Sequence, residues 1–307
     1  MILVCGILGD EMIELMCARL DDMSYDYLLF DERHFPGRYG LCWEASPTGV
    51  SGHVSAPGRT VGLEEVTGVY ARYVEYRDET KRSALSPGEQ RIAEAEYQLS
   101  VMELLDLLPC VVVNRPKAST SNDSKVYQGF LANEVGLLTP KTLVTTCPEE
   151  ARAFYEECRG RVIYKSLSGI RSIVQRLDEA SLSRLGLLKN CPTQFQEYVE
   201  GVDIRVHTVG DEAFATEIES EASDYRYARR QGASLSARAA DLPPEVGNSC
   251  AGLAAALGLE LAGVDLRRTP DGRYYCFEVN PSPGFLFYER ATAQPISEAV
   301  ARRLRGD

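Results

Sequence analysis

Residues 261–284 read Leu-Ala-Gly-Val-Asp-Leu-Arg-Arg-Thr-Pro-Asp-Gly-Arg-Tyr-Tyr-Cys-Phe-Glu-Val-Asn-Pro-Ser-Pro-Gly. Thr269-Pro270-Asp271-Gly272 is typical of a tight turn, and runs rich in apolar residues flank it on both sides. The stretch therefore predicts a hairpin with strands over 261–268 and 273–279. A four-residue turn pairs Arg268 with Arg273 and so sets the register.

Three side chains with oxygen donors lie on one face of this predicted hairpin. In that register Asp265 faces Cys276, and Glu278 and Asn280 follow on the same face because side chains alternate along a strand. Carboxylate and amide oxygens are ligands that Mg²⁺ prefers, with phosphates and water completing its shell. A charged strand facing solvent is less favoured, since the surrounding residues are apolar and an unpaired carboxylate there would be costly.

Composition and charge limit the classes of function. The chain has 307 residues, with 33 Lys and Arg against 45 Asp and Glu, so its formal net charge is −12. Hydrophobic residues at 44% and charged residues at 25% exclude a disordered or collagen-like chain. The length predicts roughly two domains. The acidic total argues against nucleic acid as the main partner, because that binding depends on clustered Lys and Arg.

The cysteines and the apolar segments indicate in which cellular compartment the protein is found. Nine cysteines are scattered without a C-x-x-C pair, which predicts neither a disulfide framework nor a zinc site and favours a reducing compartment. The first residues lack the basic region of a signal peptide, and no apolar run approaches the ~18 residues of a membrane span. We therefore expect a soluble, cytoplasmic protein with no membrane partner.

The N-terminal stretch predicts a β-α-β unit of a parallel sheet, with apolar runs at Ile2–Cys5 and Tyr27–Phe30. Gly6-Ile-Leu-Gly9, with Asp31 as a ribose-binding acid, is one alternative, because it partly matches a dinucleotide fingerprint. Its spacing is G-x-x-G, however, and Asp10 would meet the pyrophosphate with negative charge. We therefore favour a tight turn after the first strand.

A long helix is predicted from Ser86-Pro87-Gly88-Glu89, where Ser86 is the N-cap and Glu89 closes a capping box. We expect it to present Ile92 and Leu99 on one face and to stop at Pro109.

The strand predicted at Val111–Val113 ends the first unit, and we place a domain boundary near residue 114. Residues 1–114 then form an α/β domain, and residues 115–307 form an α+β body with much antiparallel sheet. The further predicted elements are helices over 123–135, 148–158, 178–185 and 244–257, and strands over Val162–Lys165, Ser172–Arg176, Phe195–Val199, Ile204–Val209 and Ala213–Ile218.

Two lysines lie where phosphate oxygens could bind. Lys165 ends an apolar strand and precedes small residues that include Ser168 and Gly169, whose backbone N–H groups suit phosphate. Lys125 opens a helix and could reach another phosphate. Each signal alone is also typical of a solvated surface lysine.

Polar residues further along the chain complete a candidate nucleotide site. Gln196-Glu197-Tyr198-Val199 could read an adenine edge through its backbone, although the same residues are typical of an edge strand. Asp203 follows and could bind ribose hydroxyls. Arg205 and Arg226 could neutralise a transferring phosphoryl group, because guanidinium groups fit phosphate oxygens. The tyrosines beside Arg226 also fit cation–π packing.

In this order, the motifs resemble the ATP-grasp ligase superfamily, specifically its RimK-type branch, over residues 114–295. Within that branch the chain is similar to ATP-grasp maturases of ribosomal peptides (the graspetide type). The stretches that carry this closer similarity are Ser124–Gln128, Gly136–Thr145, Pro148–Tyr155 and Val69–Arg72.

The resemblance implies a pre-ATP-grasp α/β domain over residues 1–114 and a two-lobed ATP-grasp fold over 115–307, with lobes at about 115–199 and 200–307. It also implies a role for each candidate residue. The nucleotide-binding residues are Lys125, Lys165, Ser168, Gly169, Gln196, Glu197, Tyr198, Val199 and Asp203; the catalytic residues are Arg205 and Arg226; and the ligands of two magnesium ions, with Mn²⁺ as an alternative, are Asp265, Glu278 and Asn280.

The implied activity is ADP-forming ligation of a carboxylate to an amine or hydroxyl through an acyl phosphate. The favoured substrate is a peptide, which would gain a side-chain amide or ester or an added amino acid. One alternative is a small-molecule amino-acid or dipeptide ligase. Another is an ATP-binding module that has lost catalysis, which is disfavoured because both lysines, Arg226 and the metal ligands occur together. ATP and a peptide or amino acid are the implied partners, and a homo-oligomer stays open.

Overall fold

A computed structural model describes residues 1–72, 85–167, 174–220 and 235–306. The N-terminal elements are β1 (Ile2–Gly6), α1 (Glu11–Asp22), β2 (Tyr27–Asp31), β3 (Gly40–Ser46), β4 (Gly49–Ala56), β5 (Arg59–Gly62), β6 (Gly68–Ala71), α2 (Pro87–Leu107) and β7 (Val111–Val113). A parallel sheet has the order β2-β1-β6-β7, and β3, β4 and β5 form an antiparallel sheet beside it.

Both faces of the parallel sheet are buried, which explains the continuous apolar runs of its strands. Ile2 and Val4 pack with α1 on one side, whereas Leu3 and Cys5 pack with α2 and the hairpin strands on the other. The turn after β1 leads into α1, whose N-cap is Asp10. Asp31, the residue considered for ribose binding, instead forms an ion pair with Arg33 at 2.6 Å.

The long helix begins as its N-terminal signal predicts. Ser86 Oγ accepts from Glu89 N, and Ser86 N donates to Glu89 Oε2 at 2.8 Å, so the predicted capping box is confirmed. The face that carries Ile92 and Leu99 does not meet the core, because both residues are exposed. The buried residues of the helix come later along it, at Val101, Leu104 and Leu105.

The second part of the chain holds two antiparallel sheets, in the orders β10-β9-β11-β8 and β14-β13-β12-β15-β16. The predicted antiparallel character is therefore confirmed. The elements are α3 (Pro116–Ser119), α4 (Lys125–Glu134), β8 (Thr142–Thr145), α5 (Pro148–Glu157), β9 (Val162–Lys165), β10 (Gln175–Arg176), α6 (Glu179–Leu182), β11 (Thr193–Glu197), β12 (Val202–Val209), β13 (Glu212–Ser220), β14 (Leu235–Ala239), α7 (Pro244–Ala256), β15 (Leu261–Arg268), β16 (Tyr274–Asn280), α8 (Leu286–Thr292) and α9 (Ile296–Arg305).

The larger antiparallel sheet has two chemically different faces. Ile204 and Val206 of β12, with Val264 of β15, join an apolar core that includes residues of α7 and α4. The alternate residues of the same strands, such as Arg205 and Asp265, point to the opposite face. The side chains that could bind a nucleotide and metal therefore come from one face of a sheet whose other face is anchored in a core.

The last helix, α9, packs against the parallel sheet formed by the first strands. Leu304 and Val300 share a core with Val4 and Tyr70. Gly68 of β6 allows this close approach, because a Cβ there would lie 2.1 Å from the Leu304 carbonyl oxygen. The division into domains at residue 114 stays a prediction. Within the described residues, no helix is long and apolar enough to span a bilayer.

Candidate active site

The centre of the candidate site is a row of side chains across β12, β15 and β16. Asp265 pairs in register with Arg205 on one side and with Glu278 on the other. The predicted pairing of Asp265 with Cys276 is wrong for two reasons. The turn leaves residue 268 opposite Tyr274, and an irregularity in the ladder follows between Asp265 and Leu266.

Because of this irregularity, Cys276 and Glu278 lie on opposite faces of the sheet although they are two residues apart. Leu266 pairs with Cys276 and Asp265 pairs with Glu278, so Phe277 is an extra residue between the two pairs. Cys276 therefore lies in the apolar core, where burial raises the pKa of its thiol well above the usual range. Glu278 stays on the charged face beside Asp265, as the sequence predicts.

Arg205 is a buried cation at the middle of this face. Its Nη1 lies 2.6 Å from Asp265 Oδ1, and only 5% of the residue is exposed. The guanidinium lies over Gly263 of β15, where an added Cβ would be 2.0 Å from Nη2 and 2.4 Å from Cζ. Glycine in the Ala262-Gly263-Val264-Asp265 motif thus provides the space that Arg205 occupies.

Lys125, the first residue of α4, reaches the same row from the side. Its Nζ lies 2.7 Å from Glu278 Oε2. The helix is held against β16 by Gln128, whose buried side-chain amide accepts from Val279 N at 3.0 Å and donates to Val279 O at 2.8 Å. Sequence reasoning missed Gln128, because an amide three residues after Lys125 gives no local signal of a strand partner.

The three predicted metal ligands form a donor set that fits a hard cation. Asp265 and Glu278 are direct strand partners, and Asn280 pairs with Gly263 next to them on the same face. Two carboxylates and one amide oxygen suit Mg²⁺ with phosphates and water as further ligands. Each carboxylate contacts a cationic side chain, Asp265 that of Arg205 and Glu278 that of Lys125. Among the described residues, no group of three His, Cys, Asp or Glu side chains could hold a metal.

Lys165 of β9 and Gln196 of β11 lie close together in the four-stranded sheet of β8–β11. Lys165 is 7% exposed, and its Nζ lies 3.5 Å from Gln196 Oε1. Gln196 is fixed in turn by a hydrogen bond from its Nε2 to Thr142 Oγ1 at 3.2 Å. Gln196 therefore orients a candidate phosphate-binding lysine through its side chain, a role that the sequence does not indicate.

The end of β11 and the residues after it connect the β8–β11 sheet to the β12–β16 sheet, and part of their backbone is hydrogen-bonded within the protein. Glu197 N donates to Lys141 O and Tyr198 N donates to Arg161 O, both at 2.9 Å. Val199 O accepts from Arg267 Nη1 at 2.9 Å. Arg176 stacks over the Tyr198 ring with its Cζ 3.9 Å from the ring centroid.

Arg267 is a residue of this region that sequence reasoning missed. Its Nε donates to Asp203 Oδ1 at 2.7 Å, while its Nη1 binds the Val199 carbonyl. It therefore links the candidate ribose-binding carboxylate to the candidate adenine-binding backbone. The arginine follows Asp265 by two residues, so it belongs to the same strand face, which is the one signal that could have identified it.

His207 continues this face of β12 toward α8. It is fully buried, with its ring 4.8 Å from the Tyr288 ring centroid. Burial lowers the pKa of His207 well below its usual range, and the charge of Arg205 adds to the effect. The imidazole is therefore neutral near pH 7. Ser168, Gly169 and Arg226, three of the predicted site residues, lie outside the described residues.

The chain is similar in sequence to a known protein family and to curated relatives. Residues 120–304 match the model of a protein family described as the RimK-like ATP-grasp domain. A curated relative from Photobacterium profundum, named probable alpha-L-glutamate ligase, is 28% identical over 215 residues, which cover 66% of this chain and 70% of the relative.

Two solved structures resemble nearly the whole chain. The macrocyclase MdnC from Microcystis aeruginosa, bound to its precursor peptide MdnA, has a TM-score of 0.80 at 24% identity and covers 99% of both chains. The ATP-grasp ligase PsnB, complexed with a minimal precursor, Mg and ADP, has a TM-score of 0.78 at 25% identity and covers 99% of this chain and 96% of PsnB.

Proposed function

The chain belongs to the RimK-like ATP-grasp family, and from that premise we propose that it is an ADP-forming ligase that modifies a peptide. The observation that carries the proposal is the row of Arg205, Asp265, Glu278 and Lys125, which places two carboxylates between two cations on one sheet face. The likeness to peptide-modifying ligases over 99% of the chain supports a peptide as the substrate.

We assign the nucleotide to the space between the sheet of strands β8–β11 and the sheet of strands β12–β16. Lys125 and Lys165 would hold phosphate oxygens, together with Ser168 and Gly169. The adenine edge would meet the segment 196–199, where the N–H groups of residues 197 and 198 already bind protein carbonyls. The remaining polar groups of that segment would therefore contact the base. Asp203, which Arg267 orients, would bind the ribose hydroxyls.

Asp265, Glu278 and Asn280 would hold magnesium, and we propose two ions, with Mn²⁺ as a substitute. Bound magnesium would supply positive charge to the phosphate oxygens. Arg205 and Arg226 would stabilise charge on the transferring phosphoryl group, and the Arg205 guanidinium, which Asp265 already holds, would need little reorganisation during the reaction.

The reaction would proceed in two steps that need no covalent bond to the protein. A carboxylate oxygen of the substrate attacks the γ-phosphorus of ATP, and the bond to the bridging oxygen breaks to release ADP. An amine nitrogen or hydroxyl oxygen then attacks the acyl carbon and phosphate leaves, while the nucleophile loses its proton to solvent. The protein's contribution is to align the reactants and offset their charge.

A small-molecule amino-acid ligase is the second candidate, because the curated relative is named as a glutamate ligase. A catalytically inactive module is disfavoured, since both lysines and all three metal ligands are present. We propose the cytoplasm as the location, because all nine cysteines are free thiols.

Mass spectrometry of candidate peptides and amino acids incubated with the protein and Mg·ATP tests the proposal. Loss of one water mass per bond formed indicates cyclisation, whereas gain of a residue mass indicates amino-acid addition. Modification of free amino acids but of no peptide would favour the second candidate.

Glu278→Gln should lower substrate-dependent phosphate release by about 100-fold or more, because a neutral amide holds a divalent cation poorly. The matched control is Glu298→Gln, which alters a surface pair with Arg302 and should leave turnover unchanged. Turnover of Glu278→Gln equal to that of the control would contradict the metal assignment.

A further inference from the structure

Asn114 is a buried amide that binds residues at the start of β15 and just after β16, the hairpin that carries the proposed metal ligands. The residue follows β7 of the parallel sheet and is 7% exposed. Its Oδ1 accepts from Glu260 N at 2.8 Å and from Leu261 N at 3.1 Å. Its Nδ2 donates to Leu261 O at 2.6 Å and to Pro281 O. The side chain thus uses all the hydrogen-bonding capacity that an amide has.

These partners lie at the open end of the hairpin. Leu261 is the first residue of β15, and Pro281 directly follows Asn280, the last residue of β16. Proline has no N–H to offer a neighbouring strand, so the β-ladder cannot continue there. Asn114 supplies a donor and an acceptor to Leu261 there and binds the carbonyl of Pro281, the residue that follows a candidate metal ligand.

A second side chain from the N-terminal sheet holds the next residue of the same turn. Ser282 N donates to Asn280 Oδ1 at 2.9 Å, which orients the Asn280 amide. Ser282 Oγ accepts from Arg72 Nη1 at 3.2 Å. Arg72 is itself fixed by Asp10, because its Nε lies 2.9 Å from both carboxylate oxygens.

Arg72 and Asn114 share a position in the fold. Each directly follows a strand of the parallel sheet, β6 for Arg72 and β7 for Asn114, so both lie at its carboxyl edge. In open α/β sheets this edge ordinarily carries the ligand site. Here it contacts the turn after Asn280.

We propose that Asn114 and Arg72 are positioning residues for Asn280, so that the N-terminal sheet fixes the orientation of a metal ligand. The inference rests on the proposed metal role of Asn280. Groups that hold a metal ligand in place typically affect metal affinity by about 10- to 100-fold when altered. A purely structural clamp would differ: its loss would lower stability and leave the metal affinity of the folded protein unchanged.

The test compares Asn114→Asp with Asn133→Asp, a matched change at an exposed amide on α4. Asn114→Asp keeps the acceptor and replaces the two N–H donors with an oxygen that faces the carbonyls of Leu261 and Pro281. Mn²⁺ binding to the protein–ADP complex, followed by electron paramagnetic resonance, should weaken by about 10-fold in Asn114→Asp and stay unchanged in the control. The Mg²⁺ concentration for half-maximal phosphate release should rise in parallel, with the ATP KM unchanged at saturating Mg²⁺.

Ser282→Ala provides a second measurement that does not place a charge in the core. It removes the contact with Arg72 but keeps the Ser282 N–H bond to Asn280, so Mn²⁺ binding should weaken by less than in Asn114→Asp. If Asn114→Asp does not fold, the Ser282→Ala result decides, and an unchanged Mn²⁺ affinity overturns the inference. Folded Asn114→Asp with wild-type Mn²⁺ affinity overturns it as well. Absence of Mn²⁺ binding to the wild-type ADP complex would instead contradict the proposed function.

Discussion

Replacing Gly263 with alanine should displace Arg205 without altering any charged residue. The new Cβ would lie 2.0 Å from Arg205 Nη2 and 2.4 Å from Cζ, far inside van der Waals contact. The guanidinium is the flexible end of its side chain, so it can move while the backbone of β15 stays in place. Its displacement breaks the contact with Asp265 Oδ1.

The size of the effect follows from how deeply the ion pair is buried. The side chains of Arg205 and Asp265 are 6% and 17% exposed. Removing one partner of a buried pair costs roughly 3–5 kcal/mol. Because Asp265 is partly accessible to water, we expect a loss near the lower end, ~3 kcal/mol of unfolding free energy. Phosphate release should fall by about 100- to 1,000-fold, the usual effect of losing one group that stabilises transition-state charge.

A double-mutant cycle with Arg205→Ala shows whether the effect passes through the arginine. Once Arg205 is absent, the alanine methyl group at 263 meets no guanidinium, so the double variant should be no less active than Arg205→Ala alone. Gly88→Ala is the matched control, since a Cβ there meets nothing within 4 Å. Full activity of Gly263→Ala, or losses that simply add in the double variant, would refute the reasoning.

Two further predictions concern stability. Burial, with a smaller effect from Asp31, raises the pKa of Glu32 from 4.5 to about 7. The folded state therefore favours the protonated acid, and the unfolding free energy should fall by ~3 kcal/mol between about pH 4.5 and 7 relative to Glu32→Gln. Urea unfolding at pH 5 and pH 8 measures this, and equal pH dependence in both proteins would contradict it. Gly68→Ala should destabilise the fold by about 1–3 kcal/mol, because its Cβ would lie 2.1 Å from the Leu304 carbonyl oxygen in α9. A urea midpoint equal to that of wild type would show that the helix can shift freely.

The parts of the fold that the sequence predicts depend on local chemistry. The capping box at Ser86 and Glu89 is one such signal, because both partners lie within one helical turn. The face shared by Glu278 and Asn280 is another, since the two residues alternate on one strand; Asp265 shares it because the extra residue Phe277 offsets the one-residue shift at the turn. The pairing partner of Asp265 could not be predicted, because the extra residue Phe277 leaves no mark in composition.

Other features depend on contacts between segments far apart in the chain. Asn114 and Gln128 act as substitutes for a strand backbone, and nothing in their own neighbourhoods indicates which strand they meet. Periodicity places Ile92 and Leu99 on one face of α2, but the parallel sheet meets the helix only near its C-terminal end. Apolar periodicity shows that residues share a face, whereas burial depends on whether another element reaches it.

The packing of α9 against the first strands has a consequence for synthesis on the ribosome. Ile2 and Val4 emerge early, but Val300 and Leu304, which share their core, are translated near the end of this sequence. Until then, α1 covers one apolar face of the nascent parallel sheet without α9. The N-terminal strands therefore complete their core only after α9 has been translated, so folding cannot finish strictly in the order of translation.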